Sequence, residues 1–491
     1  MSAAIFILYV MADTAYLYEY QRPSALDEAA GRLGLETSGG RALATPASHP
    51  RFFTGFLACP GAAAAGLLAV ARVAGERYAV AGAQLGGRSR PADPVVTCNG
   101  DRLRFEAFSS CCGVYARLDV LSESLDGEVH DRGTTNVDVN EPLRRALGRI
   151  AGDDPLHLVV GPDELAVTTV DGRAVEKKVP LPPRWLRGFA EAQVLMATCD
   201  LRAELDGVEA ARFLRSLPGG TVIGSTASSG ARVVTGNGRT AQWAVPSGRG
   251  LRLTGSPVPG AVCLAGPHRL AAIIPLLRYV RRLRAFGPAV AGRCEPCPSA
   301  WEVELPGMRL VLALSPAANR GFSGEGSVLD SLAGGDSGDA DLIGALLAFE
   351  PRVEVDLLAE RSGLSPQQVR RALVRLGTAG RVGYDLAEAG YFHRELPYDA
   401  ALAERDNPRL RDARALVAAG AVALDGDVAT ITVTGHGQRV RLAAGDQAWC
   451  TCDWWAKHRG TRGPCKHVLA ARLAREAASS AAGPATAAGR A

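Results

Sequence analysis

The chain has 491 residues, of which 47% are hydrophobic and 22% charged, with a formal net charge of +4. This composition excludes a disordered polyelectrolyte, and so small a net charge excludes a strong overall attraction to nucleic acid, so any basic surface must be local. Eleven scattered cysteines, including the adjacent Cys111 and Cys112, do not resemble a disulfide framework and favour a reducing, cytoplasmic environment.

The N-terminus is apolar over residues 5–11 but lacks the features of a targeting segment. The run is too short to span a bilayer, and it has neither a basic flank nor a small-residue cleavage site. No other stretch reaches membrane length, so we expect a soluble protein. Either Met1 or Met11 could be the first residue of the translated protein, and the sequence does not decide between them.

Residues 1–335 form one large block of mixed character, for which we predict an α+β fold of unidentified type. Alternating or β-rich runs predict strands at 103–108, 156–160, 165–170, 251–254 and 301–314. Apolar residues at helical spacing predict helices at 62–78, 141–150, 207–217 and 270–286.

A weak internal similarity raises the question of duplication within this block. Residues 179–186 and 264–270 each follow predicted strands and precede a segment with helical spacing. A duplicated domain and a chance similarity both stay open.

The pattern changes after a linker at 327–339 that is rich in Gly, Ser and Asp. Apolar spacing then predicts three short helices, at 341–349, 355–361 and 367–376. Two strands are predicted after them, at 381–385 and 391–395. Three helices followed by a hairpin are typical of a winged helix-turn-helix. We therefore predict a winged-helix-like module at 339–400.

The third of these helices has two chemically different faces. Ser365 is its predicted N-cap and Pro366 its first helical residue. One face carries apolar side chains, namely Val369, Ala372, Leu373 and Leu376. The opposite face carries Gln367, Arg370, Arg371 and Arg375. Arg can contact guanine or phosphate and Gln can contact adenine, as in a DNA recognition helix. A solvated face and a protein-docking helix stay open as alternatives.

The C-terminal region contains two ligand-like pairs. Cys450 and Cys452 are followed by twelve residues and then by Cys465 and His467. Three thiolates and one imidazole are a suitable tetrahedral set for Zn²⁺. Two strands are predicted before the first pair, at 428–433 and 439–442, and a helix begins at the second pair. The spacing predicts a ββα unit in which zinc joins a hairpin to a helix N-terminus.

Further residues in this region resemble a SWIM-type zinc finger. Asp453-Trp454-Trp455 follows the first pair and Gly463-Pro464 precedes the second, so that the resemblance covers 440–475. It implies one Zn²⁺ held by Cys450, Cys452, Cys465 and His467. His458, in the intervening loop, is a fifth candidate, but SWIM fingers use the histidine of the second pair.

We assign the finger to 424–478, with a connecting segment at 407–420 before it and a disordered tail at 479–491 after it. Its loop carries four further basic residues, Lys457, Arg459, Arg462 and Lys466. Together with Trp454 and Trp455 they suit a nucleic-acid surface, through phosphate charge and base stacking. We expect at least one of the tryptophans to belong instead to the small core around the metal.

The whole layout, together with the segment 391–397, resembles an actinobacterial family of SWIM zinc-finger proteins of unassigned function. That resemblance implies a place in a multiprotein assembly with MoxR-type ATPases and von Willebrand A-domain proteins.

We expect a cytoplasmic, non-enzymatic zinc-binding adaptor whose C-terminal half recognises nucleic acid, protein or both. A sequence-specific transcription regulator that uses the third helix is the alternative. An enzyme within residues 1–335 is a third class, because the sequence does not identify the fold of that block. The sequence contains no phosphate-binding GxxxxGKS or GxxxxGKT loop.

Overall fold

The computed structural model describes residues 51–76, 78, 94–217, 267–288, 298–316, 321–322, 326, 328–329, 337–396, 407–433, 436–443, 447–460 and 462–481. It also describes the backbone of short strands at 9–11, 14–16, 25–27, 32–34, 231–236, 240–247, 250–258 and 263–264. Within these ranges no helix has both the length and the apolar character needed to cross a membrane.

Two short hairpins come first. Their strands are β1 (Tyr9–Met11), β2 (Thr14–Tyr16), β3 (Ala25–Asp27) and β4 (Arg32–Gly34).

The first half of the block follows, with two helices interspersed among its strands. Its elements are β5 (Phe53–Leu57), α1 (Pro60–Gly75), β6 (Val95–Cys98), β7 (Arg102–Phe108), β8 (Val114–Leu121), a 3₁₀ turn (Ser122–Ser124), β9 (Leu125–Val129), β10 (Gly133–Asn136), α2 (Glu141–Arg149), β11 (His157–Val160), β12 (Glu164–Thr169) and β13 (Gly172–Lys177). Helix α3 (Pro183–Ala197) then leads to the second half.

The second half repeats this order within the described residues, except that β9 has no counterpart and a 3₁₀ helix takes the place of α2. Its elements are β14 (Asp200–Asp206), α4 (Gly207–Ser216), β15 (Ala231–Gly236), β16 (Thr240–Ser247), β17 (Gly250–Val258), β18 (Cys263–Leu264), a 3₁₀ helix (Pro267–Leu276), β19 (Arg282–Gly287), β20 (Ser299–Leu305) and β21 (Met308–Leu314).

The two halves also share one sheet topology. Strands β13-β12-β11-β5 lie in the same order as β21-β20-β19-β14, and β10-β6-β7-β8 in the same order as β18-β15-β16-β17. Antiparallel pairing of β8 with β21 joins the halves into one eight-stranded sheet. The 264–270 segment thus corresponds to the link between β10 and α2, and it is not the counterpart of 179–186.

The main core lies between the sheets and α1. Ala-rich α1 approaches the sheet closely, and a Cβ at Gly66 would lie 2.8 Å from the Leu118 side chain. Leu103, Phe105 and Ala107 alternate along β7 and are buried in this core.

The helix predicted at 270–286 is wrong. The chain forms a 3₁₀ helix to Leu276 and then strand β19. Pro275 lies inside the 3₁₀ helix and cannot donate a backbone hydrogen bond, which disfavours a continuous α-helix. Beyond it, Arg282 and Arg284 alternate with buried Leu283 and Ala285, which is the period of a strand.

The three-helix module and its hairpin are confirmed. The helices are α5 (Ser337–Leu346), α6 (Val355–Ser362) and α7 (Pro366–Thr378), and the hairpin strands are β22 (Val382–Asp385) and β23 (Gly390–His393). Ser365 and Gln368 form a reciprocal capping box at the start of α7. We call the hairpin β22–β23 the wing.

The C-terminal unit contains the predicted hairpin and helix, extended by two more strands. Its elements are α8 (Pro408–Ala418), β24 (Val422–Asp425), β25 (Val428–Val433), β26 (His436–Leu442), β27 (Ala448–Cys450), α9 (Asp453–His458) and α10 (Lys466–Ala481). The four strands form one antiparallel sheet, and α10 packs on its buried face. Most of the predicted tail lies outside the described residues.

Candidate metal centre and interaction surfaces

The four predicted ligands lie where three elements of the C-terminal unit meet. Cys450 ends β27, Cys452 immediately precedes α9, and Cys465 and His467 lie at the start of α10. Their ligand atoms all lie within 4.8 Å of one another, and all four side chains are buried. Cys450 Sγ is 3.8 Å from His467 Nδ1. A tetrahedral Zn²⁺ ion with bonds of about 2.0–2.3 Å holds its ligand atoms slightly closer together than the distance between Cys450 Sγ and His467 Nδ1. The four side chains therefore fit the ion.

The protonation of the thiols in this cluster is coupled to the binding of a metal cation. The backbone N–H of Val468 donates to Cys465 Sγ at 3.4 Å, which stabilises the sulfur as a thiolate. The pKa of Cys450 lies well above its ordinary value, because its contacts with the Cys452 and Cys465 thiols favour the protonated form and burial adds to this. Binding of Zn²⁺ must therefore expel thiol protons, and zinc affinity rises with pH.

His458 faces a tryptophan and is not part of the ligand cluster. Its ring centroid lies 4.4 Å from that of Trp454. The guanidinium carbons of Arg409 and Arg462 lie 4.7 and 5.7 Å from the centroid of the same indole. Trp454 and Trp455 both pack against the apolar core of the finger. The expectation that at least one tryptophan belongs to this core is confirmed.

The loop before Cys465 is held by α8. Arg409 donates from Nη1 to the carbonyl oxygens of Arg462 at 2.7 Å and Pro464 at 3.1 Å. Gly463 has φ +69°, and a Cβ there would lie 2.2 Å from the carbonyl oxygen of Gly326. Glycine is therefore required at this position both for conformation and for space.

One apolar cluster connects the finger to the N-terminal block. Its buried members come from α3, the 328–329 segment, α8 and α10, namely Ala190, Val328, Leu329, Leu410, Ala413, Leu469 and Ala470. Glu191 on α3 accepts hydrogen bonds from the backbone N–H groups of Gly326 and Val328. The zinc ligands on α10 are thus coupled through packing to a helix of the block.

The polar face of α7 is exposed to solvent in the N-terminal half of the helix. Gln367, Arg370 and Arg371 are exposed, whereas Arg375 is half-buried. Burial raises the pKa of Glu476 on α10, and the positive charges of Arg371, Arg475 and Arg472 oppose this shift. The charges of these three arginines therefore act on one carboxyl group, which places Arg371 of α7 near the finger helix.

The predicted basic residues of the finger loop are not equivalent. Lys457 and Arg459 are exposed. Arg462 is half-buried over Trp454, and Lys466 Nζ lies 3.9 Å from the Asp412 carboxylate. Only the first two therefore resemble free contact residues.

The wing is buried against the charged face of the block, which the sequence analysis did not predict. Asp385 Oδ2 accepts from Arg104 Nη2 at 3.1 Å, and Asp385 Oδ1 lies 3.3 Å from Arg117 Nη2. Burial alone would raise the pKa of Asp385, but Arg117, Arg104 and Arg309 outweigh it and hold that pKa well below its usual range.

Further buried contacts fix the wing in place. Arg394 donates to the Glu106 carboxylate, and Asn99 Nδ2 donates to the carbonyl oxygens of Phe349 at 2.9 Å and His393 at 2.8 Å. Phe349 has φ +54°. Its N–H donates to His393 Nδ1 at 2.6 Å, and burial lowers the pKa of His393 to about 3. The wing is therefore an internal interface.

Comparison with known families now bears on the metal centre. A family model described as SWIM zinc finger matches residues 434–476, which include all four ligands. The chain contains a SWIM zinc finger. Both the match and the buried cluster identify Zn²⁺ as the metal of this site.

A second family model, described as DprA winged helix domain, matches residues 330–383. It covers the three helices α5 to α7 and ends within the first strand of the wing. The helical module is therefore a winged helix, adjacent in structure to the SWIM finger. A search of curated proteins found no match.

The solved structures similar to this chain include the following two. One is Proliferating Cellular Nuclear Antigen from Entamoeba histolytica, with 9% identity, a TM-score of 0.35, and coverage of 54% of this chain and 98% of that chain. The other is the C-terminal region of FEN-1 bound to A. fulgidus PCNA, with 10% identity, a TM-score of 0.34, and coverage of 54% and 97%.

Proposed function

We propose that this protein is a non-enzymatic, zinc-binding adaptor that binds a protein partner through the exposed face of α7 and the adjoining SWIM finger. The single observation that supports this most is the burial of the wing. Winged-helix regulators commonly contact DNA with the recognition helix and with flanking segments. Here the wing carries Asp385 and His393 into the interior, so that within the winged helix the exposed face of α7 is the surface available to a partner.

The packing between the modules supports the same proposal. The wing is held to the block by buried charge pairs, and α10 shares an apolar cluster with α3 and α8. A partner that contacts α7 at Arg371 also approaches α10 at Arg472 and Arg475. One partner surface can therefore span both modules, as an adaptor requires.

The partner that we propose is a MoxR-type ATPase with a von Willebrand A-domain protein, in the cytoplasm. This choice rests on the family resemblance of the sequence. The free cysteines of the described residues are compatible with a reducing compartment.

A DNA-binding regulator is the second candidate, because Gln367, Arg370 and Arg371 stay exposed on one helix. These side-chain types can contact base edges and phosphates in a major groove. The helix alone would have to supply both affinity and specificity.

A pull-down of the tagged full-length chain from native cells, with and without nuclease, separates the two candidates. We expect a stoichiometric partner that survives nuclease and is lost from the Arg370→Ala/Arg371→Ala variant. The matched control is Arg212→Ala/Arg215→Ala, which removes two exposed arginines from α4 of the block. Capture that requires nucleic acid, together with a single footprint on DNA, would establish the regulator and overturn the adaptor.

A further inference from the structure

The outer face of the finger sheet is a separate exposed surface, on the side opposite α10. Along β25, β26 and β27, the inward side chains are buried with α10, namely Ala429, Ile431, Val440, Leu442 and Cys450. The side chains that alternate with them point outward. Among them, Trp449 has 53% of its surface exposed, which is unusual for so large an apolar side chain.

Strand register places two arginines beside this tryptophan. Arg441 is the direct cross-strand partner of Trp449, and Arg439 lies two residues before Arg441 on the same face. Directly opposed side chains on a sheet have Cβ atoms about 5 Å apart. Arg439 and Arg441 are both exposed, and within the described residues neither forms an ion pair.

The rest of this face is small and mostly neutral. Thr430 lies opposite Arg439, and Val428 lies opposite Arg441. The cross-strand row that contains Arg441 and Trp449 continues through Val428 to Asp425 on β24. Asp425 is the acidic residue of this row, and it lies two strands away from Arg441. The face therefore has an open aromatic ring and two positive charges with little to neutralise them.

We infer that this face binds single-stranded nucleic acid, with a base stacked on Trp449 and the adjacent phosphates contacted by Arg439 and Arg441. An aromatic ring on an exposed sheet, flanked by cationic groups, matches both the π-face of a base and the charge of the backbone. An acidic peptide would use the arginines but would leave the indole without a planar partner. This surface lies on a different element from α7, so its failure and that of the adaptor function can be told apart.

The metal positions this surface. Trp449 immediately precedes the ligand Cys450, and Arg439 O accepts from the backbone N–H of Thr451, between the first two ligands. Zinc bound at Cys450 and Cys452 would fix the end of β27 beside β26, so we expect loss of the metal to weaken nucleic-acid binding as well.

The test is titration of a fluorescein-labelled oligo(dT) of about twelve nucleotides with the zinc-loaded full chain, followed by anisotropy. We expect Trp449→Ala to weaken binding about five-fold to a hundred-fold, the range of a single stacked base. Arg439→Ala/Arg441→Ala should flatten the plot of log affinity against log salt by about 1.4, at about 0.7 for each phosphate contact. Controls are Phe56→Ala and Arg173→Ala, which remove an exposed aromatic and an exposed basic side chain from the block.

Zinc content is measured for every variant, because Trp449 adjoins a ligand. If Trp449→Ala loses zinc, the inference is tested instead with Arg439→Ala/Arg441→Ala and with Trp449→Phe, which keeps an aromatic face. Unchanged affinity in the arginine pair, or no binding of oligo(dT) by the wild type, overturns the inference. Binding of a polyglutamate peptide with no binding of oligo(dT) would assign the face to acidic protein segments instead. Neither result bears on the α7 pull-down.

Discussion

Arg104 Nη2 donates to Asp385 Oδ2 at 3.1 Å, across 281 residues of sequence, and neither side chain has more than 1% of its surface exposed. This contact joins the charged face of strand β7 to the wing. Asp119, Arg117 and Asp385 complete an alternating cluster in which each buried charge has an opposite neighbour. A buried ion pair offsets the cost of its own desolvation only when all its charged partners are present. The cluster therefore favours the one arrangement of wing and block in which all of these charges are paired.

Replacement of Asp385 by Asn should destabilise the protein by about 3–5 kcal/mol, because it leaves buried arginines with insufficient negative charge. Urea denaturation and amide exchange of the wing measure the effect. The control is Asp200→Asn, which removes the exposed carboxylate from its surface pair with half-buried Arg202 and should change the free energy of unfolding by about 0–1 kcal/mol. Equal effects of the two changes would contradict the importance of the buried cluster.

One tightly bound zinc ion per chain is expected, held by Cys450, Cys452, Cys465 and His467. Elemental analysis should show that Cys452→Ser/Cys465→Ser and His467→Ala lose the metal. The matched control is His458→Ala, which removes the ring beside Trp454, lies outside the ligand cluster and should retain zinc. Retention of zinc by the double cysteine variant would rule out this ligand set.

Chelation should disturb more than the finger. Sequence spacing alone suggests that a finger joined by a connecting segment unfolds by itself. However, Leu469 and Ala470 on α10 pack with Leu410 on α8 and Ala190 on α3. We therefore expect metal removal to raise amide exchange in α8 and around Ala190 in α3, while α1 stays protected. Exchange that increases only beyond residue 422 would show that this cluster does not transmit the change.

The stability of the protein should depend on pH through His393. Burial, with a smaller contribution from Arg381, lowers its pKa to about 3 in the folded protein, against 6.5 for the ordinary group. Between these values the unfolded chain binds the extra proton. The free energy of unfolding should therefore fall as pH decreases from about 6.5, by up to about 1.4 kcal/mol per pH unit.

His393→Gln tests this dependence, because it removes the titrating group at the same site. The variant should lose part of the slope between pH 5 and 6.5, although it is less stable at pH 7. Loss of zinc at low pH affects both proteins and cancels in the difference. Identical slopes for the two proteins would show that His393 does not contribute.

Gly463→Ala should weaken the contact between the finger loop and the block, because the new Cβ would overlap the Gly326 carbonyl oxygen and the residue has a positive φ. We expect a loss of roughly 1–3 kcal/mol in stability. Thermal unfolding measures it, and Gly437→Ala is the control, since a Cβ there meets only Thr430 Cγ2 at 3.7 Å. An unchanged midpoint for Gly463→Ala would mean that the loop can shift without cost.

The sequence by itself determined the features that depend on local chemistry. The zinc ligands follow from two short motifs whose residue types suit one ion, and the backbone between them does not change that match. The capping box and the amphipathic pattern of α7 likewise act within a few residues, so helix and faces were both predictable. The strand at 282–287 was missed, because the apolar residues of 270–286 matched a helical period across a proline.

Only the tertiary structure decided what the charged faces do. Arg102, Arg104 and Glu106 alternate with apolar residues along β7, and such a pattern ordinarily predicts a solvated face. Here the wing covers that face, and long-range charge pairing replaces water. The shared strand order of the two halves was equally hidden, since it is carried by backbone pairing rather than by side-chain identity. The exposure of Trp449 and the partial burial of Trp454 in the same finger were decided in the same way, because strand alternation and packing against Arg409 act through space.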